Sequence, residues 1–273
     1  MSGPAAPEDF LSGTSGLVFG VRATSRALAR DALADTEALA RGWPWRLARA
    51  ASVSPSRRVL VLAVERTGEP NILAAARREL GRSRHEVRIE VAAAGDRGKF
   101  ENLSVLLANE PASRYDWLLV VDDDVALPRR FLDEFVFLAE RFELRLAQPA
   151  HRARSHAAWQ VTRRRAGSLV RETAFVEIGP VVGIHSSTFS ELLPFPRLQA
   201  GWGLDAHWAA LARERGWRIG VIDATPVRHG IRRIAASYDR AGAVAEAQQF
   251  LADRPFVKAS DAQRTLVTHR SWS

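Results

Sequence analysis

Tyr115-Asp116-Trp117-Leu118-Leu119-Val120-Val121-Asp122-Asp123-Asp124-Val125-Ala126-Leu127-Pro128 is an apolar run that ends in three carboxylates. Trp117 to Val121 is bulky or β-branched throughout, which reads as a buried strand. The acids then stand at its C-terminal end, where ligands of open α/β sheets bind. Adjacent carboxylates resist joint ionisation unless a cation sits among them, and oxygen ligands suit a hard divalent metal. The Asp-x-Asp spacing alone is weak, and Asp124 also suits a turn before a helix with Pro128 in its first turn. Metal, phosphate and turn roles all stand at this point.

Upstream, Arg58 to Val64 is an apolar run of strand length, and a helix through Ile72 to Ala76 ends before Gly81. Glu86 to Val91 alternates charged and apolar residues, as an outer strand does. The loop Gly95 to Phe100 leads into a helix carrying Leu103, Leu106 and Leu107. Strand, helix, strand, helix, strand predicts parallel strands with right-handed crossovers, a Rossmann-like half.

Downstream, Phe131, Leu132, Phe135, Val136 and Leu138 recur at helical spacing within Arg129 to Arg141, and Leu144 to Gln148 reads as a short strand. The basic segment His151 to Arg165 reads as solvated surface, or as an arm closing over phosphates. Phe175 to Ile184 is broken by Gly179-Pro180, which predicts a bent or edge segment. A helix from Leu204 to Arg215 carries Asp205 in its first turn, where the helix dipole favours a carboxylate. Arg218 to Ile222 is expected to be the last strand, ending in Asp223, with a turn at Pro226 to Gly230.

The chain is 273 residues long with a net charge of +8, room for one sizeable core and a bias toward anionic partners. It has no cysteine, which excludes disulfides, thiolate metal sites and a cysteine nucleophile. No run approaches the length of a membrane span, and the start lacks a signal-peptide pattern, so a cytoplasmic protein is expected. Met1 to Gly16 reads as disordered. Leu28, Ala32, Thr36 and Leu39 mark an amphipathic helix over Thr24 to Ala40, and Trp43-Pro44-Trp45 with Arg46 and Arg49 suits docking on the main domain or a peripheral membrane contact. Three regions follow: a start and helical extension with its linker (1–56), a catalytic domain (57–230) and a tail laid back on it (231–273), with Tyr238, Phe250 and Phe256 scattered through the last.

Taken in order, the acids after a strand, Phe175-Val176-Glu177-Ile178, Gly201-Trp202-Gly203-Leu204-Asp205, Ile219-Gly220-Val221-Ile222-Asp223 and Val227-Arg228-His229 resemble glycosyltransferases of the GT-A fold. They are most similar to family 707 of unknown function, regarded as glycosyltransferases, over Arg57 to Gly230. The resemblance implies an α/β fold, a GT-A-like Rossmann-type mixed sheet flanked by helices and preceded by the helical extension. It implies Mn2+ or Mg2+ held by Asp122, Asp124 and His229 on the diphosphate of a UDP-sugar or related donor. Asp123, Asp96, Lys99 and Arg228 would bind the donor nucleotide, with Arg232 or the 163–165 arginines assisting, and Glu177, Trp202 and Gly203 would meet sugar or acceptor. Asp205 would be the base on the acceptor hydroxyl in an inverting reaction, while a retaining enzyme would not need it. Two other classes compete. The strand ending in Asp122 and Asp124 also resembles phosphatases of the haloacid-dehalogenase type, with Asp223 available as a further acid; a basic nucleic-acid-binding protein fits the charge, although 151–165 interleaves only Trp159 as an aromatic.

Overall fold

The protein is described by a computed structural model, over residues 9–12, 18, 20–231 and 239–272. Tyr238 and Arg232 lie outside the described residues, as does most of the N-terminal stretch expected to be disordered. Within that stretch, Asp9 to Ser12 are placed: Phe10 is buried against Leu251, the Asp9 carbonyl accepts from Ala259 N–H, and Lys258 pairs with Asp9 at 2.8 Å. An aromatic side chain with a core to enter overrides the compositional signal there.

The first half is a strand–helix alternation. β1 (Arg58–Glu65), β2 (Glu86–Ala93) and β3 (Trp117–Asp122) run parallel, with α3 (Leu73–Leu80) and α4 (Lys99–Asn109) as crossovers. Both faces are covered. Leu60, Leu62, Leu118 and Val120 point into a core shared with α4 and α7 (Leu204–Glu214), while Val59, Val61, Trp117, Leu119 and Val121 point into one shared with α5 (Phe131–Arg141). This period-2 division between two buried faces is why the runs are apolar without interruption.

Beyond β3 the sheet becomes mixed. After β4 (Val125–Ala126) come β5 (Leu144–His151), β6 (Val170–Thr173), β7 (Val181–His185), β8 (Arg218–His229) and β9 (Thr265–His269), giving the order β2-β1-β3-β7-β5-β8-β6-β9. β7 lies antiparallel between β3 and β5, so of the two expectations for this segment, bent or edge, the edge fails, while the strand does begin only after the Gly179-Pro180 break. Pro180 stands just before the strand, where its missing N–H costs no ladder bond, and its carbonyl accepts from Asp122 N–H at 2.8 Å.

The turn expected at Pro226 to Gly230 is instead the second half of the twelve-residue β8. Its first half pairs with β5 and β6; after an irregularity opposite Pro149 and His151, its end pairs with β4, setting His229 opposite Val125. Nor is β8 the last strand. The chain continues through α8 (Arg240–Leu251) and α9 (Ala259–Ala262) into β9, which adds an edge beside β6.

At the other end, α2 (Trp43–Val53) buries Trp43, Leu47 and Ala51, the first two in the core lined by α5. Complete burial of a side chain such as Leu47 contributes about 2 kcal/mol. α1 (Gly20–Ala40) is anchored by its acids. Asp31 accepts from the N–H groups of Ala153 and Arg154 at 2.8 and 3.0 Å, and Asp35 pairs with Arg152 and Arg164 at 3.0 and 2.5 Å. The basic 151–165 segment is therefore a seat for α1 more than a solvated face: His151, Ser155, His156 and Thr162 are buried. The stripe Leu28, Ala32, Thr36 and Leu39 faces solvent, opposite to what an amphipathic docking helix would do.

Candidate functional site

One large cleft of about 1010 Å³ opens at the C-terminal ends of β1 and β3. Asp122, Asp123 and Asp124, Lys99, Asp96, Glu177, Trp202, Gly203, Asp205 and His229 all line it. The residues expected to hold metal, donor, sugar and acceptor come together here, Arg228 excepted, and the arginines expected to assist at 163–165 stay outside. Arg228 is exposed and absent from the cleft lining, because strand alternation turns it away where His229 turns in.

The three acids occupy three different environments. Asp122 is half-buried, and its Oδ1 accepts from Lys99 Nζ at 2.5 Å. Gly179 packs against that pair: a Cβ there would lie 3.3 Å from Asp122 Oδ2 and 3.6 Å from Lys99 Nζ. Asp123 is buried and structural, accepting from Arg66 N–H at 2.8 Å while its carbonyl accepts from Ile72 N–H at 2.8 Å. Asp124 is buried against His229, with Nε2 3.1 Å from its carboxylate. Burial pulls the His229 pKa down, but the hydrogen bond to Asp124 and the charges of Asp124, Asp122 and Glu177 outweigh it and hold it above the ordinary value. Ser155 fixes the backbone, its Oγ accepting from His229 N–H at 2.7 Å.

A divalent metal suits this donor set only in part. Among the described residues no three His, Asp or Glu side chains are gathered closely enough to hold a metal ion by themselves. Asp124 and His229 already stand side by side as a hard carboxylate and an imidazole, and Asp122 is committed to Lys99. Such a pair fits a cation that takes the rest of its shell from an anionic ligand, as Mg2+-type sites on phosphates do.

Across the cleft, Gly203 enters α7 with φ of 83° and places Asp205 in the first turn, where Oδ1 accepts from Ala206 N–H at 2.9 Å. Enclosure, with the charge of Glu177 adding to it, pushes the Asp205 carboxyl up to about 7 despite that hydrogen bond. A group poised there exchanges protons at neutral pH. Glu177 is fixed by buried partners: Gln148 Oε1 accepts from its N–H, and His151 Nε2 lies 3.3 Å from its Oε2. Trp202 lies at the cleft wall with the Arg240 guanidinium 5.7 Å from its ring centre.

Two supports escaped sequence reasoning. Gln148, a polar residue inside an apolar strand, is a signal that was readable. Glu246 on α8 had none: its carboxylate accepts from the N–H groups of Gln199, Ala200 and Gly201, pinning the loop that carries Trp202. Asp223, by contrast, is absent from the cleft lining, enclosed with Arg171 at 2.7 Å and receiving Arg165 N–H at 2.9 Å. The 163–165 arginines likewise stay outside the cleft lining, with Arg163 directed to the carbonyls of Ala153 and Ser155.

No family model matches the chain, and no curated protein matches it, so the resemblance to family 707 finds no support there. Solved structures do match. A197 from STIV shares 13% identity at a TM-score of 0.45, over 64% of this chain and 86% of that one. GalNAc-T7, solved with UDP, GalNAc and Mn2+, shares 11% identity at a TM-score of 0.51, over 66% of this chain and 45% of its own. The match thus spans less than half of GalNAc-T7. The mixed sheet flanked by helices is similar to a GT-A glycosyltransferase fold.

Proposed function

We propose that this protein is a glycosyltransferase that moves a sugar from a nucleoside-diphosphate donor, a UDP-sugar in the first instance, to an acceptor hydroxyl. The observation that carries the reading is the pairing of Asp124 with His229 at the strand ends, facing Asp205 across the same cleft. The likeness in fold to GalNAc-T7 supports it, and the UDP and Mn2+ of that structure suggest the donor and metal class.

Asp124 and His229 would hold Mn2+ or Mg2+, with Asp122 beside them. The bound metal supplies positive charge to the leaving diphosphate. Lys99 neutralises Asp122 and keeps a second cation at that end of the cleft. Asp205 accepts the proton of the attacking hydroxyl, a role that favours inversion, while Glu177 raises its basicity. Gly203 and Trp202 shape the acceptor side.

The phosphatase alternative loses its further acid, since Asp223 is buried with Arg171. The nucleic-acid alternative loses most of its basic arm, since Arg152, Arg163 and Arg164 are bonded within the fold.

A thermal-shift screen of UDP, GDP and ADP with and without Mn2+ tests the proposal. Ligand at 100 times its Kd stabilises by about 2.7 kcal/mol. Metal-dependent stabilisation by one nucleotide, lost in Asp124→Ala, is expected. Full metal-dependent stabilisation of the variant would remove the acids from the metal site.

A further inference from the structure

α1 is docked inside out. Its inward face is alanine and aspartate, with Ala27 and Asp31 buried and Asp35 bonded to Arg152 and Arg164, whereas its large apolar residues point away. Val21, Leu28, Ala32 and Leu39 are spaced to form one stripe, and Val21 is 84%, Leu28 47% and Leu39 49% exposed. α2 adds Trp45 at 63% exposure and Val53 on its outer side. Six of the ten large apolar side chains exposed among the described residues lie in these two helices, so the excess is local and not a general surface property.

The charges divide the same way. Of the helices' acids, Asp31 is buried, Asp35 is partly exposed but paired with Arg152 and Arg164, and Glu37 is paired with Arg41 at 2.7 Å, while Arg22, Arg26, Arg46 and Arg49 stand exposed. The outer surface is thus apolar and basic, with one acid buried and the other two paired to arginines. That combination matches an anionic lipid surface, where leucine and tryptophan enter the headgroup boundary and arginines meet phosphates. A second copy of the chain fits worse, since a twofold contact sets these arginines against themselves. Nucleic acid fits worse too, since stacking uses successive aromatics and Trp45 is the one aromatic among the large apolar side chains exposed on these two helices.

We infer that the outer face of α1 and α2 is a docking surface for membranes rich in anionic lipid, independent of the chemistry assigned to the cleft. Flotation of the full chain with vesicles of phosphatidylcholine alone, or mixed equally with phosphatidylglycerol, tests it. Binding to the mixed vesicles only is expected. Arg22→Glu with Arg26→Glu should weaken it by at least roughly 30-fold, and Leu28→Ser with Leu39→Ser should also reduce it, with unfolding midpoints unchanged because all four sites are exposed. The inference falls if the mixed vesicles are not bound, or if both pairs of substitutions leave binding intact. It falls equally if light scattering shows a dimer that the serine pair dissolves, or if a single-stranded oligonucleotide is bound in place of the vesicles.

Discussion

Replacing Asp205 by asparagine should stabilise the protein above neutral pH while removing turnover. The carboxyl rises from an ordinary 3.8 to about 7 in the folded state, chiefly through enclosure and then through Glu177. A raised folded pKa means the native state holds the proton more tightly than the unfolded chain. Stability from this group is therefore fully present below pH 3.8 and is lost as pH rises through about 7. The shift of roughly 3 units corresponds to a ceiling of about 4 kcal/mol, at 1.36 kcal/mol per unit. The first-turn position of Asp205 in α7 favours the carboxylate and keeps the measured value under that ceiling. Asparagine retains an Oδ1 to accept from Ala206 N–H but cannot ionise. Urea unfolding of both proteins should give a difference near zero at pH 4 that grows to a plateau of a few kcal/mol in favour of the variant by pH 8. Turnover with any active donor–acceptor pair should fall by about 10²- to 10⁴-fold. A stability difference independent of pH, or a variant less stable at pH 8, would refute the argument that Asp205 is enclosed beside Glu177.

Other substitutions probe the frame. Glu134, buried on α5, is pushed from 4.5 up to about 7 by desolvation, so Glu134→Gln should add up to about 3 kcal/mol at pH 8 and little at pH 4, read from the same denaturation series. Asp223→Asn leaves the Arg171 guanidinium buried without its counter-ion and should cost about 3–5 kcal/mol by urea midpoint, with nucleotide binding by surviving folded protein unchanged. At Gly201, φ is 74° and a Cβ would fall 1.9 Å from the Phe100 ring, so Gly201→Ala should destabilise by more than about 2 kcal/mol in thermal melts and loosen the Trp202 loop.

The sequence by itself determined the parallel half and the acidic strand end. Trp117 to Val121 had to be buried on both faces, and the polar run after it had to stand at the C-terminal end of that strand, where the cleft opens. These are local consequences of period and composition, and they located Asp122, Asp124 and, through the glycine-led helix start, Asp205. Tertiary structure decided which of those groups face one another. His229 reaches Asp124 because β8 continues past an irregularity and pairs with β4, a register that no residue near Pro226 announces. Asp122 meets Lys99, and Gln199 to Gly201 meet Glu246, across long stretches of chain whose contacts arise only on packing. The apolar spacing of α1 was legible, but its direction was not. Two aspartates bonded to a basic segment outweighed the leucine stripe, because charge-assisted hydrogen bonds, those of Asp31 enclosed and those of Asp35 half-exposed, fix orientation where the apolar face has nothing to cover.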